Sequence, residues 1–201
     1  MVFPSDSGAE GVPAGGSVDT EGLGPRLREL RRASGLSLKA VAGRLGISVS
    51  AVSQIERGAM QPSVGRLIAL VEVLGVPLAA VFGQEAPGSE VETAVVRAGA
   101  APVVLEGGVL FRRLAPSRLD AVDFFESTYP PGATSTAHRR FLRHDGFELG
   151  TVSCGELTIE FEDEVVVLAP GDAITFPCAR PHRMVNNGSQ LTVATWLIVH
   201  R

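Results

Sequence analysis

Three side chains in the second half of this 201-residue chain are placed to do chemistry: His144, Glu148 and His182. Side chains alternate along a strand, so the spacing His-x-x-x-Glu puts His144 and Glu148 on one face if a single strand runs through both. His182 lies on another predicted strand. Two imidazoles and a carboxylate converging inside a β-barrel form a set of borderline-hard ligands. Such a set suits Fe(II), Mn, Ni or Zn and leaves coordination positions open. The same groups without metal would line a polar pocket for a small ligand. A third reading, hydrogen-bonded interior residues with no ligand, is disfavoured because a buried cluster of this kind is costly to keep dry and unpaired. Phe176 and Asn186 are further candidates for an effector pocket.

A different chemistry is written between Gly35 and Ser63, GLSLKAVAGRLGISVSAVSQIERGAMQPS. Ser37 can cap a helix over Leu38–Leu45, its hydroxyl accepting an otherwise unpaired backbone N–H. Val41, Ala42 and Leu45 give that helix an apolar face, and Gly46 ends it. Ser48 caps a second helix, Val49–Arg57, whose Val52 and Ile55 point inward. Ser48, Ser50, Ala51, Ser53, Gln54 and Arg57 then point outward. These groups are small or hydrogen-bonding, so the helix can sit deep in a DNA major groove. Arg57, with Arg26, Arg28, Lys39 and Arg44, supplies charge for phosphates.

These residues need elements to hold them. Residues 1–21, rich in Gly, Ser, Ala, Pro and Asp, cannot bury a core and read as a disordered tail. Residues 22–83 carry helical periodicity: Leu27, Leu30 and Ala33 form one stripe, and Leu67, Leu70, Val71 and Leu74 another. Gly46, Gly58, Gly75 and Gly83 mark helix ends. Residues 84–92 (QEAPGSEVE) read as a linker. From residue 93 to 201, Val, Ile, Thr and Phe dominate between PPG, DG, CG, APGD and NNG turns. In Glu156–Glu162 the residues Leu157, Ile159 and Phe161 alternate with polar ones. Strands at short spacing without helices between them favour an antiparallel sandwich or barrel.

Charge follows the same division. Residues 1–21 carry four acids and no base, residues 22–83 eight bases and three acids, and residues 84–201 ten bases and fifteen acids. A basic block between acidic ones confines a nucleic-acid surface to the first third. No apolar run approaches the roughly 20 residues of a membrane span. The N-terminus has neither the basic nor the apolar region of a signal peptide. Two cysteines make neither a disulfide framework nor a zinc pattern. A cytoplasmic protein with reduced thiols, not associated with a membrane, is the simplest expectation.

The segment Leu23–Phe82, above all SVSAVSQIERG followed by PS, resembles the Xre/Cro/C1-type helix-turn-helix domain of bacterial regulators. The resemblance implies a five-helix unit. Leu38 stands where the family often has a phosphate-contacting Gln, and Lys39 is the nearest replacement. Two later phrases, HDGFELGTVSCG from His144 and GDAITFPCARPHRMVN from Gly171, resemble the two cupin motifs. His144, Glu148 and Gly155 fit the first, with Leu142 at the place of its first histidine. Gly171, Pro177, His182 and Asn186 fit the second, with Ala179 at its second glycine. The resemblance covers roughly Phe124–Val199 and implies a jelly-roll barrel.

The expected architecture is therefore α+β: an all-α helix-turn-helix domain followed by an all-β jelly roll. The expected function is a DNA-binding transcriptional regulator whose cupin domain senses a small molecule, a metal or both. It would bind double-stranded operator DNA as a homodimer, because half-sites one helical turn apart need paired recognition helices. The alternative is a non-haem metal-dependent cupin oxygenase resembling hydroxypropylphosphonate epoxidase. Among the remaining polar residues, Arg139, Arg140 and Arg143 cluster near the expected barrel mouth and read first as a solvated charged loop, with attraction of an anionic effector as the alternative. His138 and His200 read as loop and solvated residues. Cys154, Cys178, Phe141, Phe147 and Trp196 read as core or pocket wall.

Overall fold

The computed structural model describes residues 22–82, 95–115 and 121–200. The expected tail, the linker 84–92 and Gly83 lie outside the described residues.

The helical part contains α1 (Leu23–Ala33), α2 (Leu38–Leu45), α3 (Val49–Glu56) and α4 (Val64–Leu74), followed by a 3-10 turn at Leu78–Phe82. The five-helix expectation is thus corrected to four α-helices and one tight turn. Only five residues separate Pro77 from Gly83, too few to repay the cost of nucleating another α-helix. Capping explains where the helices begin. The Ser37, Ser48 and Ser63 hydroxyls accept the backbone N–H of Ala40, Ala51 and Arg66. Gly46 ends α2 with φ +63°, a left-handed conformation that glycine adopts without steric cost. Leu27, Leu30, Val41, Val52, Ile55, Leu67, Leu70, Val71 and Leu74 fill the core. Ala33, assigned by periodicity to the inner stripe, is exposed at the end of α1.

Among the described residues the second part has nine strands: β1 (Val103–Val104), β2 (Leu110–Arg113), β3 (Val122–Tyr129), β4 (Phe147–Cys154), β5 (Leu157–Phe161), β6 (Val165–Leu168), β7 (Ala173–Pro177), β8 (His182–Val185) and β9 (Thr192–Val199). They form an antiparallel six-stranded sheet, β1-β2-β3-β9-β4-β7, and an antiparallel three-stranded sheet, β6-β5-β8. Among the described residues no strand ladder joins the two sheets, so the expected closed barrel is corrected to a two-sheet sandwich. The cause lies in the segment before β4. It reaches β8 only through single bridges, Thr134 to Val185 and Leu142 to His182, and a 3-10 turn at Ala137–Arg139 interrupts it.

The apolar face of β5 (Leu157, Ile159 and Phe161) is buried as the alternation requires. Thr158 on its other face is buried too, because Asn187 covers it and donates an amide hydrogen bond to its hydroxyl at 3.0 Å. Gly150 of β4 faces Trp196 of β9, and a Cβ at residue 150 would lie 2.2 Å from the indole ring. The tryptophan thus occupies the space a side chain would have filled, with its indole N–H donating to Ser127 Oγ at 2.9 Å. Cys154, expected in the core, is exposed, whereas Cys178 is fully buried.

The two parts touch. Gly65 N–H of α4 donates to Ser135 O at 2.9 Å, and Glu106 N–H donates to Pro62 O at 3.0 Å. Ala79 N–H donates to Asp123 Oδ1 at 3.3 Å, and the Phe82 and Phe111 rings stack with centroids 6.0 Å apart. A Cβ on Gly65 would sit 3.1 Å from the Thr136 methyl and 3.5 Å from Leu142 Cδ1. The missing side chain is what lets α4 approach so closely.

Candidate functional site

Helix α3 is held to the core from behind. Arg31 of α1 donates to both carboxylate oxygens of Glu56, with NH2 to Oε2 at 2.9 Å, and its NH1 donates to Leu36 O at 2.9 Å. The hydrogen bonds from Glu56, helped by its charge, raise the Arg31 pKa against the opposing effect of burial. Gly24 makes this packing possible, since a Cβ there would stand 2.6 Å from Ile55 O. Glu56 and Gly24 escaped the sequence reading, although Glu56 lies within the IERG phrase that carried the resemblance.

The opposite face of α3 is free to meet a partner. Ser48, Ser50 and Arg57 are exposed, and Ala51, Ser53 and Gln54 are half-buried. Gln54 Nε2 donates to Ser50 Oγ at 3.2 Å, and Arg57 NH1 donates to Ser53 Oγ at 2.7 Å. These bonds run along the helix surface and hold the side chains in an ordered row. Ser37 and Lys39 are exposed at the start of α2, while Leu38 packs against the core. That explains how an apolar residue stands where a phosphate contact would be. Arg26 and Arg44 are partly committed inward, to Ala80 O at 2.9 Å and Val73 O at 3.4 Å. Val49, absent from the expected set, is 44% exposed at the head of α3. Its apolar type hid it from a search for hydrogen-bonding groups.

His144, Glu148 and His182 come together between the two sheets. Glu148 lies on β4 of the larger sheet and His182 opens β8 of the smaller one. His144 is not on the β4 strand: Gly146, with φ +99°, turns the chain before β4 begins at Phe147. The convergence predicted from strand alternation therefore occurs through a turn. The residues are 7%, 3% and 0% exposed, and one donor atom from each lies within 4.8 Å of the other two.

Hydrogen bonding fixes how the imidazoles face. His144 Nδ1 lies 3.2 Å from Asp145 O, and His182 Nδ1 lies 2.8 Å from Arg180 O. A carbonyl oxygen can only accept, so each Nδ1 carries the hydrogen and each Nε2 turns toward Glu148. The Nε2 atoms stand 3.7 Å (His144) and 3.4 Å (His182) from Glu148 Oε2, and all three atoms are buried without a hydrogen-bond partner among the described residues. Three converging electron-pair donors need a cation among them, a proton or a metal ion. Burial lowers the His144 pKa, but the neighbouring Cys178 side chain and the Glu148 carboxylate outweigh it and push it up to about 10. Burial raises the Glu148 pKa, and the two imidazoles beside it reverse the effect and lower it. Orphaned donors, two imidazoles and one carboxylate together fit a divalent ion of the Fe, Mn, Ni or Zn group.

Phe176 is the wall of this site. It pairs with Glu148 across β7 and β4, and its ring meets His182 edge-on with centroids 4.8 Å apart. Asn186 does not join the cluster. Its Nδ2 donates to Tyr129 O and Gln190 O at 2.8 and 2.7 Å, and its Oδ1 accepts from Gly188 N–H at 2.9 Å. The amide is spent holding the turn from β8 to β9. Leu142, at the place of the missing histidine, packs against Gly65 of α4 and exchanges backbone hydrogen bonds with His182. Beside His144 opens a cleft of about 520 Å³ bounded by Glu72 of α4, Arg143, Asp145 and Ala179. His200, expected to be solvated, is hydrogen-bonded to Asp123 Oδ2 at 2.8 Å.

Both halves of the chain are similar to known proteins. Residues 27–81 match the helix-turn-helix family HTH_3, and residues 125–200 match the cupin domain family Cupin_2. The HTH-type transcriptional regulator PuuR of Escherichia coli is 30% identical over 179 residues, 86% of this chain and 92% of PuuR. The HTH-type transcriptional regulator DdrOP3 of Deinococcus deserti is 47% identical over 51 residues, 25% of this chain and 40% of that protein. The crystal structure of an HTH_3 family transcriptional regulator from Vibrio cholerae superposes with TM-score 0.65 at 20% identity, covering 90% of this chain and 97% of the other, and supports the fold. An Xre-type helix-turn-helix domain, a C-terminal cupin domain and this similarity along most of both chains place the protein in the family of PuuR-type HTH transcriptional regulators.

Proposed function

We propose that this regulator reads operator DNA with α3 and that occupancy of the His144–Glu148–His182 site sets its affinity for that DNA. The observation that carries the second half is the set of three buried, unpartnered donor atoms. These residues would hold a divalent ion, which would supply positive charge beside the cleft for a small effector. The effector enters through the cleft beside His144, against the Phe176 wall. Ser48, Ser50, Ala51, Ser53, Gln54 and Arg57 meet base edges and phosphates, Ser37 and Lys39 meet phosphates, and Val49 meets a thymine methyl. A homodimer presents two copies of α3 to a two-fold operator.

Helix α4 supplies the connection. Its N-terminal turn bonds to Ser135, and its Glu72 borders the cleft at the metal cluster. A ligand changes DNA affinity only if it binds the DNA-competent and DNA-incompetent states unequally, and α4 is the element both halves share.

Metal analysis of the purified full-length chain, followed by gel shifts on its upstream DNA with and without EDTA, tests the proposal. About one divalent ion per chain and at least a tenfold change in DNA affinity on chelation are expected. Identical affinity in both states, or a chain that holds no metal when dialysed against each candidate ion, overturns the sensing half. Two histidines and one carboxylate beside an open cleft also favour the oxygenase as a second reading. Stoichiometric iron with O2 consumption and no retention of DNA would select it.

A further inference from the structure

A second cleft, of about 480 Å³, lies between the helical part and the segment that precedes β4. Its walls are α4 and the turn between α2 and α3 on one side and residues 136–143 on the other. We infer that this cleft binds a small organic anion, a carboxylate or phosphate ester with an apolar body, at a site separate from the His144–Glu148–His182 cluster.

The volume is that of a small-molecule site, and contacts between domains are a common place for one. Three guanidinium groups line it, Arg66 of α4 with Arg140 and Arg143 of the facing segment, and among the described residues no Asp or Glu does. Among the described residues none of the three forms an ion pair. Arg66 NH1 reaches Leu45 O at 3.4 Å and Arg143 Nε reaches Ala179 O at 3.1 Å, which leaves most of their five N–H donors unspent. Burial and the neighbouring Arg140 charge lower the Arg66 pKa, partly offset by Glu106. Positive charges held together against their own repulsion are what an anion relieves, and guanidinium forks match the oxygens of carboxylate and phosphate. Ile47 and Phe141 add apolar wall for the body of the ligand.

The backbone there is also unusual. His138, which lines the cleft, has φ +53°, a left-handed conformation uncommon for residues other than glycine. Such outliers gather at ligand clamps and switch regions.

The cleft reaches Ser48, the cap of α3, and the turn Gly46–Ile47 in front of it. An anion bound there adds negative charge beside the end of α3 that faces DNA phosphates. It also ties the recognition helix to the cupin half. Its occupancy therefore weakens DNA binding. The inference rests on the DNA-reading role of α3 and is independent of metal.

Calorimetric titration of the full-length chain with phenyl phosphate tests it. We expect a dissociation constant below about 1 mM, weakened at least tenfold in Arg66→Ala and in Arg140→Ala, which line this cleft and not the one beside His144, and the same isotherm with and without EDTA. In gel shifts, saturating phenyl phosphate should weaken wild-type DNA binding at least fivefold. It should have no such effect on Arg140→Ala, whose affinity without the anion should match the wild type. Equal phenyl phosphate affinity in wild type and both variants overturns the inference, as does an equal effect of potassium sulfate at matched ionic strength. Loss of DNA affinity by Arg140→Ala in the absence of any anion overturns it as well, since the guanidinium would then serve DNA phosphates. A chain that loses EDTA sensitivity but keeps the phenyl phosphate response leaves the anion site standing without the metal one.

Discussion

Glu148 meets two imidazoles that have already given their Nδ1 hydrogens to the backbone carbonyls of Asp145 and Arg180. The peptide chain thus settles which nitrogen faces the carboxylate, as backbone or carboxylate partners do for many metal-binding histidines. His182→Ala should lower bound metal from about one to under ~0.1 per chain, read by elemental analysis. Asn186→Ala should keep the metal and cost about 1 to 3 kcal/mol in thermal unfolding, because a buried amide with three bonds is removed. On α3, Gln54→Ala, Arg57→Ala and Val49→Ala should each weaken operator binding roughly 5- to 150-fold if they touch bases, at about 1 to 3 kcal/mol per good contact. If Arg57 instead meets a phosphate, its variant should lower the slope of log affinity against log salt by about 1. Residue types and the resemblance to the cupin motifs named His144, Glu148 and His182 as candidates, although the strand expected to run through His144 is a turn. They did not separate the exposed Val49 from the core, because valine carries the same apolar signal on either side of a helix. Nor did they separate Asn186 from the site, because the partners that consume its amide come from Tyr129 and Gln190.

The unit that presents α3 is a clamp built from α1. Arg31 grips Glu56 from one side, and Gly24 lets the backbone of α1 touch that of Ile55. Glu56→Ala should cost about 2 to 3 kcal/mol, since it leaves a largely buried guanidinium without its anion. Gly24→Ala should cost about 1 to 3 kcal/mol, because the obstacle is backbone that cannot rotate aside. Both are measured as the shift in the thermal unfolding of the helical part, and a shift under about 0.5 kcal/mol in both would show that the clamp is not what positions α3. Helix starts were legible because Ser37 and Ser48 act locally, through a hydroxyl and an amide three residues on. Sheet closure was not legible. It depends on whether the segment from Thr134 to Leu142 runs straight beside β8, and the 3-10 turn that breaks it is set by tertiary contact rather than by pattern.

At the scale of the molecule, α4 is a wall shared by two clefts. Arg66 faces the basic one and Glu72 the one beside His144. Gly65→Val should force α4 away from Thr136 and Leu142. The variant should keep its metal and its DNA affinity in the metal-free state while losing at least fivefold of the change in affinity that EDTA causes. An unaltered EDTA response would show that the two halves communicate by another route. The basic character of residues 22–83 was visible in the sequence, and it places the positive field on the half that carries α3. The closeness of the two halves was not visible, because a contact made by an absent side chain leaves no apolar signature. The strand order carries one more consequence. Strand β9 lies between β3 and β4 and pairs with both along nearly their whole length. A ribosome delivers α1 to α4 more than a hundred residues before Thr192, so the DNA-reading half can fold while β3 and β4 still wait for their common neighbour. During synthesis, and in any chain stopped short of Thr192, all four helices would be present while the larger sheet lacked the strand that joins its two sides. The helix-turn-helix half of a freshly made molecule would thus be complete before the cupin half could close its core.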